Sequence, residues 1–241
     1  MNEQQAGNLV RVHGVDKVFK RGSEEIHVLG GLNLTIPDGE FLALMGPSGS
    51  GKSTLLNLIG GLDRPSQGSI EVGGQRIDSM SDRKLAAWRA RHVGLVFQFY
   101  NLVPTLTAKE NVALIAELSS SDGLKHTEQV LERVGLADRM DHFPGQLSGG
   151  EQQRVSIARG LVKDPPLMLC DEPTGSLDVE SGISILKLLR DVTSDGQRSV
   201  LIVTHNSVTA DMADRVIRLR DGQIIGQETN RSPADPEQLD W

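Results

Sequence analysis

The chain has 241 residues, with 25 Lys and Arg against 32 Asp and Glu, and a formal charge of −7. A content of 38% hydrophobic and 24% charged residues is that of a soluble globular protein with a sizeable core, and the acidity argues against a partner held by nucleic-acid charge. Apolar runs such as Val200–Val203 fall far short of the roughly 20 residues of a bilayer span, Met1–Asn8 lacks a secretory pattern, and the single Cys170 excludes an internal disulfide or a cysteine zinc cluster.

Strand-like and helix-like segments alternate along the chain, which predicts an α/β fold. Val10–Phe19, Leu32–Ile36 and Phe41–Met45 read as strands. A glycine-rich turn, Gly46–Gly51, leads into helical spacing over Lys52–Ile59. Ser69–Val72 and Val93–Phe97 read as short strands, with a helix over Asp82–Arg91 between them and Ser81 as its N-cap. Helical spacing runs from Thr107 to Val134, broken at Ser119–Gly123, and resumes over Ser148–Leu161. Leu167–Cys170 is an apolar run of the kind buried on both faces of a parallel sheet. Val179–Leu189 is helical, and Ser199–Val203 and Arg215–Leu219 complete the strands. The stretch 98–161 reads as a helical lobe inserted into an α/β core, and 227–241 as a polar, poorly ordered tail.

Gly46-Pro47-Ser48-Gly49-Ser50-Gly51-Lys52-Ser53 fits the pattern G-x-x-x-x-G-K-[ST] at every fixed position, between a strand and a helix. Glycines let backbone N–H groups converge on phosphate oxygens. The helix N-terminus adds partial positive charge. Lys52 is placed to reach the β- and γ-phosphates, and Ser53 to ligate Mg²⁺. The dinucleotide pattern G-x-G-x-x-G is absent here, which argues against a nicotinamide oxidoreductase.

Leu167–Cys170 ends in two carboxylates, Asp171 and Glu172. In an open α/β sheet ligands sit beyond the carboxyl ends of strands. Asp171 is thereby expected near Mg²⁺, and Glu172 beside the attacking water. Cys170 is expected to be core packing. Ser148-Gly149-Gly150-Glu151 opens a helix as a capping box, Ser148 and Glu151 being three apart. Its two glycines bare the first-turn N–H groups, making a second phosphate surface about 95 residues from the first. The two surfaces serve one nucleotide within a chain, or they meet across two chains facing head to tail.

In this order and spacing the motifs resemble the nucleotide-binding subunit of ATP-binding cassette (ABC) transporters, over roughly residues 9–226. They are Walker A (Gly46 to Thr54), the Q-loop glutamine Gln98, the signature (Leu147 to Glu151), Walker B (Leu167 to Glu172), the D-loop (Ser176, Leu177, Asp178) and the switch histidine His205. The resemblance implies a P-loop NTPase core with a mostly parallel sheet, an N-terminal antiparallel β subdomain and an inserted helical subdomain. It implies that ATP and Mg²⁺ bind, with Ser53, Gln98 and Asp171 toward the metal. It further implies that Gln98 senses the γ-phosphate, that Ser148 and Gly150 bind the γ-phosphate held by the opposite protomer, that Asp178 couples the two sites, and that His205 helps position water. Phe19 stands where the family usually carries an aromatic that stacks on adenine; phenylalanine keeps the stacking face and loses a hydroxyl. Ser176 replaces the Asn common in close relatives.

Three of the eight aromatic residues fall in Phe97–Tyr100. Such a loop fills the lobe's own core or lines a groove for a partner helix; in the family, this region receives the coupling helix of the membrane subunit. Ser48–Asp63, Val96–Asn111 and Asp171–Asp178 resemble the MacB and LolD branch, whose members pair with MacB-, LolC- or LolE-like permeases. The resemblance implies an ATPase, a head-to-tail homodimer, that powers export, lipoprotein release or mechanotransmission. It implies a cytoplasmic location, peripheral on the membrane through its partner. An FtsE-type signalling ATPase that moves no cargo has the same motifs. A chromosome-type ATPase is disfavoured, since no heptads separate Walker A from the signature.

Overall fold

A computed structural model describes residues 7–119 and 123–236. The N-terminal strands β1 (Asn8–Arg21) and β2 (Glu24–Pro37) pair antiparallel, and β1 also pairs antiparallel with β4 (Gln67–Val72), which pairs with the two-residue β5 (Gln75–Arg76). The second sheet has six strands. They are β3 (Phe41–Met45), β6 (Val93–Phe97), β7 (Leu167–Asp171), β8 (Ser199–Thr204), β9 (Arg215–Arg220) and β10 (Gln223–Thr229), in the spatial order β10-β9-β3-β8-β7-β6. Every pairing in it is parallel except β9 with β10.

Alternation along the central strands assigns their side chains to two cores. Phe41, Ala43, Met168, Cys170, Val200 and Ile202 face α5 (Gly149–Leu161), α6 (Val179–Val192) and the helical lobe. Leu42, Leu44, Leu167, Leu169, Leu201 and Val203 face α1 (Lys52–Ile59), α2 (Asp82–His92) and the antiparallel sheet. Both faces are covered, which is why these strands read as unbroken apolar runs. Cys170 is fully buried, and burial pushes its thiol well above the usual range, so it is packing as expected.

The lobe holds α3 (Ala108–Ser119), α4 (Gly123–Arg133), two short 3₁₀ turns and α5. Thr107 starts α3 with a reciprocal cap, its Oγ1 accepting from Glu110 N at 3.2 Å and its N–H donating to Glu110 Oε2 at 2.8 Å. Of the expected break at Ser119–Gly123, residues 120–122 lie outside the described residues. A five-residue helix, α7 (Ser207–Asp211), joins β8 to β9.

Two sequence expectations are corrected here. The antiparallel hairpin is longer than Leu32–Ile36 suggests, because the exposed Glu24–His27, polar apart from Ile26, pair with Val18–Arg21. The segment from Gln227 does not leave the fold at 226: Gln227–Thr229 continue β10, and Asn230 N and Ala234 N donate to Asp214 O and Asp211 O. An edge strand with one neighbour has no apolar period to announce it. Residues 237–241 of the expected tail lie outside the described residues.

Candidate nucleotide site

Strand register builds the site. Met45 lies opposite Thr204, Asp171 opposite Val203, and Phe97 opposite Asp171. The chain therefore leaves four neighbouring parallel strands at one level, and Gly46, His205, Glu172 and Gln98 are each the first residue past a strand end. His205, Glu172 and Gln98 line a cavity of about 520 Å³ together with Ser48, Gly49, Gly51, Lys52, Ser53, Thr54 and Asp171, while Gly46 and Pro47 border a neighbouring hollow beside β9. This is the carboxyl edge of a parallel sheet, where α/β folds place ligands.

The loop from Gly46 wraps the N-terminus of α1. Gly51 is the N-cap residue with φ +101°, and it offers no side-chain cap, so the first-turn N–H groups stay available for an anion. A Cβ on Gly46 would stand 2.1 Å from Leu219 O, so only glycine fits between the loop and β9. Lys52 is buried and folded back on the loop, its Nζ donating to Gly46 O at 2.7 Å and Pro47 O at 3.0 Å. An ammonium so held is an anion ligand in waiting.

Asp171 and Glu172 differ sharply although adjacent. Burial raises the Asp171 carboxyl; a hydrogen bond from Ser53 opposes this, the Glu172 charge adds to it, and Lys52 lowers it. Glu172 has φ +49°, with its N–H on Val203 O at 2.9 Å. Its Oε2 lies 2.8 Å from Nδ1 of the largely exposed His205. Gln98 packs over the turn after Glu172, where a Cβ on Gly175 would meet its Nε2 at 3.0 Å. Ser53 and Asp171 form a hard-oxygen pair suited to Mg²⁺. Among the described residues no group of three or more His, Cys, Asp or Glu could hold a metal.

The remaining expected residues lie elsewhere. Ser148 caps α5, accepting from Glu151 N at 3.3 Å, while Ser148 N donates to Glu151 Oε2 at 2.8 Å. That bond, with Arg139 at 3.1 Å, holds the Glu151 carboxyl below its usual range. Gly149 and Gly150 have no room for a side chain: a Cβ would meet the Tyr100 hydroxyl at 2.9 Å and Ser181 Oγ at 2.8 Å. None of these four lines the cavity. Asp178 caps α6 through Ser181 N at 2.9 Å, which lowers its carboxyl, and Ser176 is exposed. Phe19 is also outside the cavity, half exposed on β1, with Lys17 Nζ 4.6 Å from its ring centroid. Sequence reasoning missed Val28 and Val203, which form apolar parts of the cavity wall. Neither carries a signal beyond strand alternation.

A loop that cradles phosphate, a strand-end carboxylate pair, and polar groups from two further strand ends define a P-loop nucleotide-binding domain. The chain belongs to the ABC transporter family, whose model matches residues 29–175. It is 45% identical over 232 residues to the macrolide export ATP-binding/permease protein MacB of Brucella melitensis, covering 95% of this chain and 36% of that protein. The chain thus spans about a third of the MacB relatives it matches. An ABC transporter ATP-binding protein of Thermotoga maritima is 45% identical, covering 88% of this chain and 92% of the other. Among solved structures, the dimeric ABC cassette MJ0796 bound to ADP and Pi matches with TM-score 0.85 and 40% identity, over 92% of this chain and 99% of that one. Among the described residues no helix is long and apolar enough to cross a membrane.

Proposed function

We propose that the chain is an ATP-hydrolysing subunit that drives a membrane complex through a head-to-tail homodimer. One observation carries this reading: the phosphate loop, both carboxylates, Gln98 and His205 line a single cavity, whereas the glycine-rich N-terminus of α5 does not reach it. A signature end with bared N–H groups and no nucleotide in reach is completed by the cavity of a second copy. The dimeric cassette among the structural matches supports the same arrangement.

On this reading Lys52 turns from the Gly46 and Pro47 carbonyls to the β- and γ-phosphates, and the α1 N-terminus receives the remaining charge. Ser53 and Asp171 hold Mg²⁺, which neutralises phosphate charge. Glu172 takes the proton of the attacking water, with its carboxylate oriented by His205 Nδ1. Gln98, which lines the same cavity, would sense Mg²⁺ and the γ-phosphate and link the core to the helical lobe. Ser148 and Gly150 bind the γ-phosphate of the other chain, Asp178 couples the two sites, and Phe19 stacks on adenine. Closure and reopening of the dimer move the permease. The similarity to MacB supports a permease of that kind, with the chain held at the inner face of the membrane by this partner.

The test is the ATPase rate of the chain purified with the membrane protein it binds. Turnover that depends on that protein and disappears in Glu172→Gln and Lys52→Ala is expected. Turnover that needs no membrane protein and persists in Glu172→Gln would overturn the proposal.

A further inference from the structure

Helix α2 is basic in a chain of net charge −7: it carries Arg83, Lys84, Arg89 and Arg91 against Asp82 alone. That acid is already engaged, its Oδ1 accepting from Arg64 Nη2 at 2.8 Å. Leu85 and Trp88 are buried and fix the helix to the fold over Gly61, where a Cβ would meet Leu85 Cδ1 at 2.8 Å. Arg89 turns the same way and donates to Gly61 O at 2.6 Å. Arg83, Ala87 and Arg91 follow one another at four-residue spacing on the other face, with Lys84 beside them, and all four are exposed. Among the described residues none of these three outer cations is paired with a carboxylate. Elsewhere pairing is the rule, as at Arg11, Arg64, Arg76, Arg139, Arg190 and Arg198.

The helix itself does not account for them. Arg91 suits the negative end of the helix dipole, but Arg83 and Lys84 stand in the first turn, at the positive end, where a cation is unfavourable. Neither has an acid three or four residues away to offset this, since Met80, Ala86, Ala87 and Trp88 are among those neighbours and Ser79 and Ser81 are the rest. We propose that this face of α2 lies against anionic phospholipid headgroups. The inference rests on the reading that a membrane partner holds the chain at the inner face, and adds a contact that the chain makes with the bilayer itself. Charge complementarity selects the occupant: the negative surface potential of the cytoplasmic leaflet attracts exposed Lys and Arg. The Debye length is about 8 Å at physiological salt, so acids on other faces are screened from a surface that α2 touches. The face has no exposed aromatic or large apolar anchor, because Leu85 and Trp88 point inward. It therefore lacks the apolar centre of a protein interface, whereas headgroup phosphates require only the cations.

The test is co-sedimentation of the full chain with vesicles of phosphatidylcholine, alone or in equimolar mixture with phosphatidylglycerol, at about 0.1 M salt. The wild-type chain is expected to prefer the mixed vesicles. Replacing Arg83, Lys84 and Arg91 together by Gln should weaken that binding about a hundredfold, at about fivefold for each cation. A control with Arg21, Arg133 and Arg231 replaced by Gln removes the same charge from exposed positions outside α2, and should change binding by less than about fivefold. Melting curves and ATP binding of both triple variants should match wild type. No preference for the mixed vesicles, or a loss in the α2 variant no larger than in the control, would overturn the proposal. So would binding of a polyglutamate peptide that depends on the α2 cations without any preference for mixed vesicles, which assigns the face to an acidic protein segment. ATPase turnover independent of a membrane protein would instead remove the reading of the chain as a membrane-complex subunit, and it is measured without vesicles.

Discussion

Glu172 lets strain and chemistry be separated at one residue. Its φ of +49° places a non-glycine residue in the left-handed region, at a cost of about 1–2 kcal/mol. Its contact with the exposed His205 returns at most about 1 kcal/mol. Glu172→Ala loses that contact and keeps the strain. Glu172→Gly loses the contact and the strain, but adds about 0.5–1 kcal/mol of unfolded-chain entropy. Glu172→Gly is therefore expected to be the more stable of the two, by up to about 1.5 kcal/mol, or about 3–6 °C in Tm for a chain of this size. Both variants, and Glu172→Gln, should lose the general base and about 10²- to 10⁴-fold in turnover, or roughly 3–5 kcal/mol of barrier. Thermal melts of the three variants beside wild type, and phosphate release with the membrane partner present, read the two effects separately. Glu172→Ala melting above Glu172→Gly would refute the strain argument. Turnover above about a tenth of wild type in any of the three would refute the role of base.

Three further outcomes follow from other contacts. Gly46→Ala puts a Cβ 2.1 Å from Leu219 O; we expect it to weaken ATP binding and to lower Tm, and calorimetry and titration check both. Arg215 binds Glu40 at 2.8 and 2.7 Å and donates to Thr35 O at 2.5 Å, so Arg215→Met should cost about 3–5 kcal/mol in urea unfolding, and Arg215→Met with Glu40→Leu much less. Burial raises Glu40 above its ordinary 4.5 despite Arg215; its stabilising contribution is complete below that value and is lost as pH rises through the folded pKa, and the Arg215→Met penalty should grow as pH rises above that folded pKa, where Glu40 ionises against Arg215 in wild type and has no partner in the variant. Ser148→Ala removes the α5 cap at about 1 kcal/mol and should abolish the ATP-driven dimer, seen by size exclusion, while the isolated subunit still binds ATP.

The central strands and the phosphate loop were legible because each rests on local information. Phe41–Met45, Leu167–Asp171 and Ser199–Thr204 are buried on both faces, and the glycine and lysine spacing follows the loop itself. The start of β2 and the whole of β10 were hidden because these exposed segments are mostly polar and their few apolar residues, Ile26, Ile224 and Ile225, set up no alternation. The sequence also left open whether the two phosphate surfaces share a chain. The register that brings His205, Glu172 and Gln98 to one cavity bears on this, since Ser148 lies outside that cavity. That Arg159 and Lys163 border the groove beside Phe97 and Tyr100 could not be read, because one lies on a helix opened by the signature and the other follows it, and only packing against β6 brings them there.

Gln98 and Asn101 are three residues apart and line different cavities. Between them, Tyr100 and Asn101 take φ of +26° and +53°, and such residues persist only where their surroundings over-determine them. Asn101 N donates to Phe99 O, and Arg159 clamps Asn101 O. On the proposed function, a nucleotide at Gln98 and a permease seated against the lobe would act on the same few backbone dihedrals of this turn. Coupling then needs no long chain of contacts through the lobe. It needs a segment with two arrangements that both ligands bias, and this turn borders both cavities.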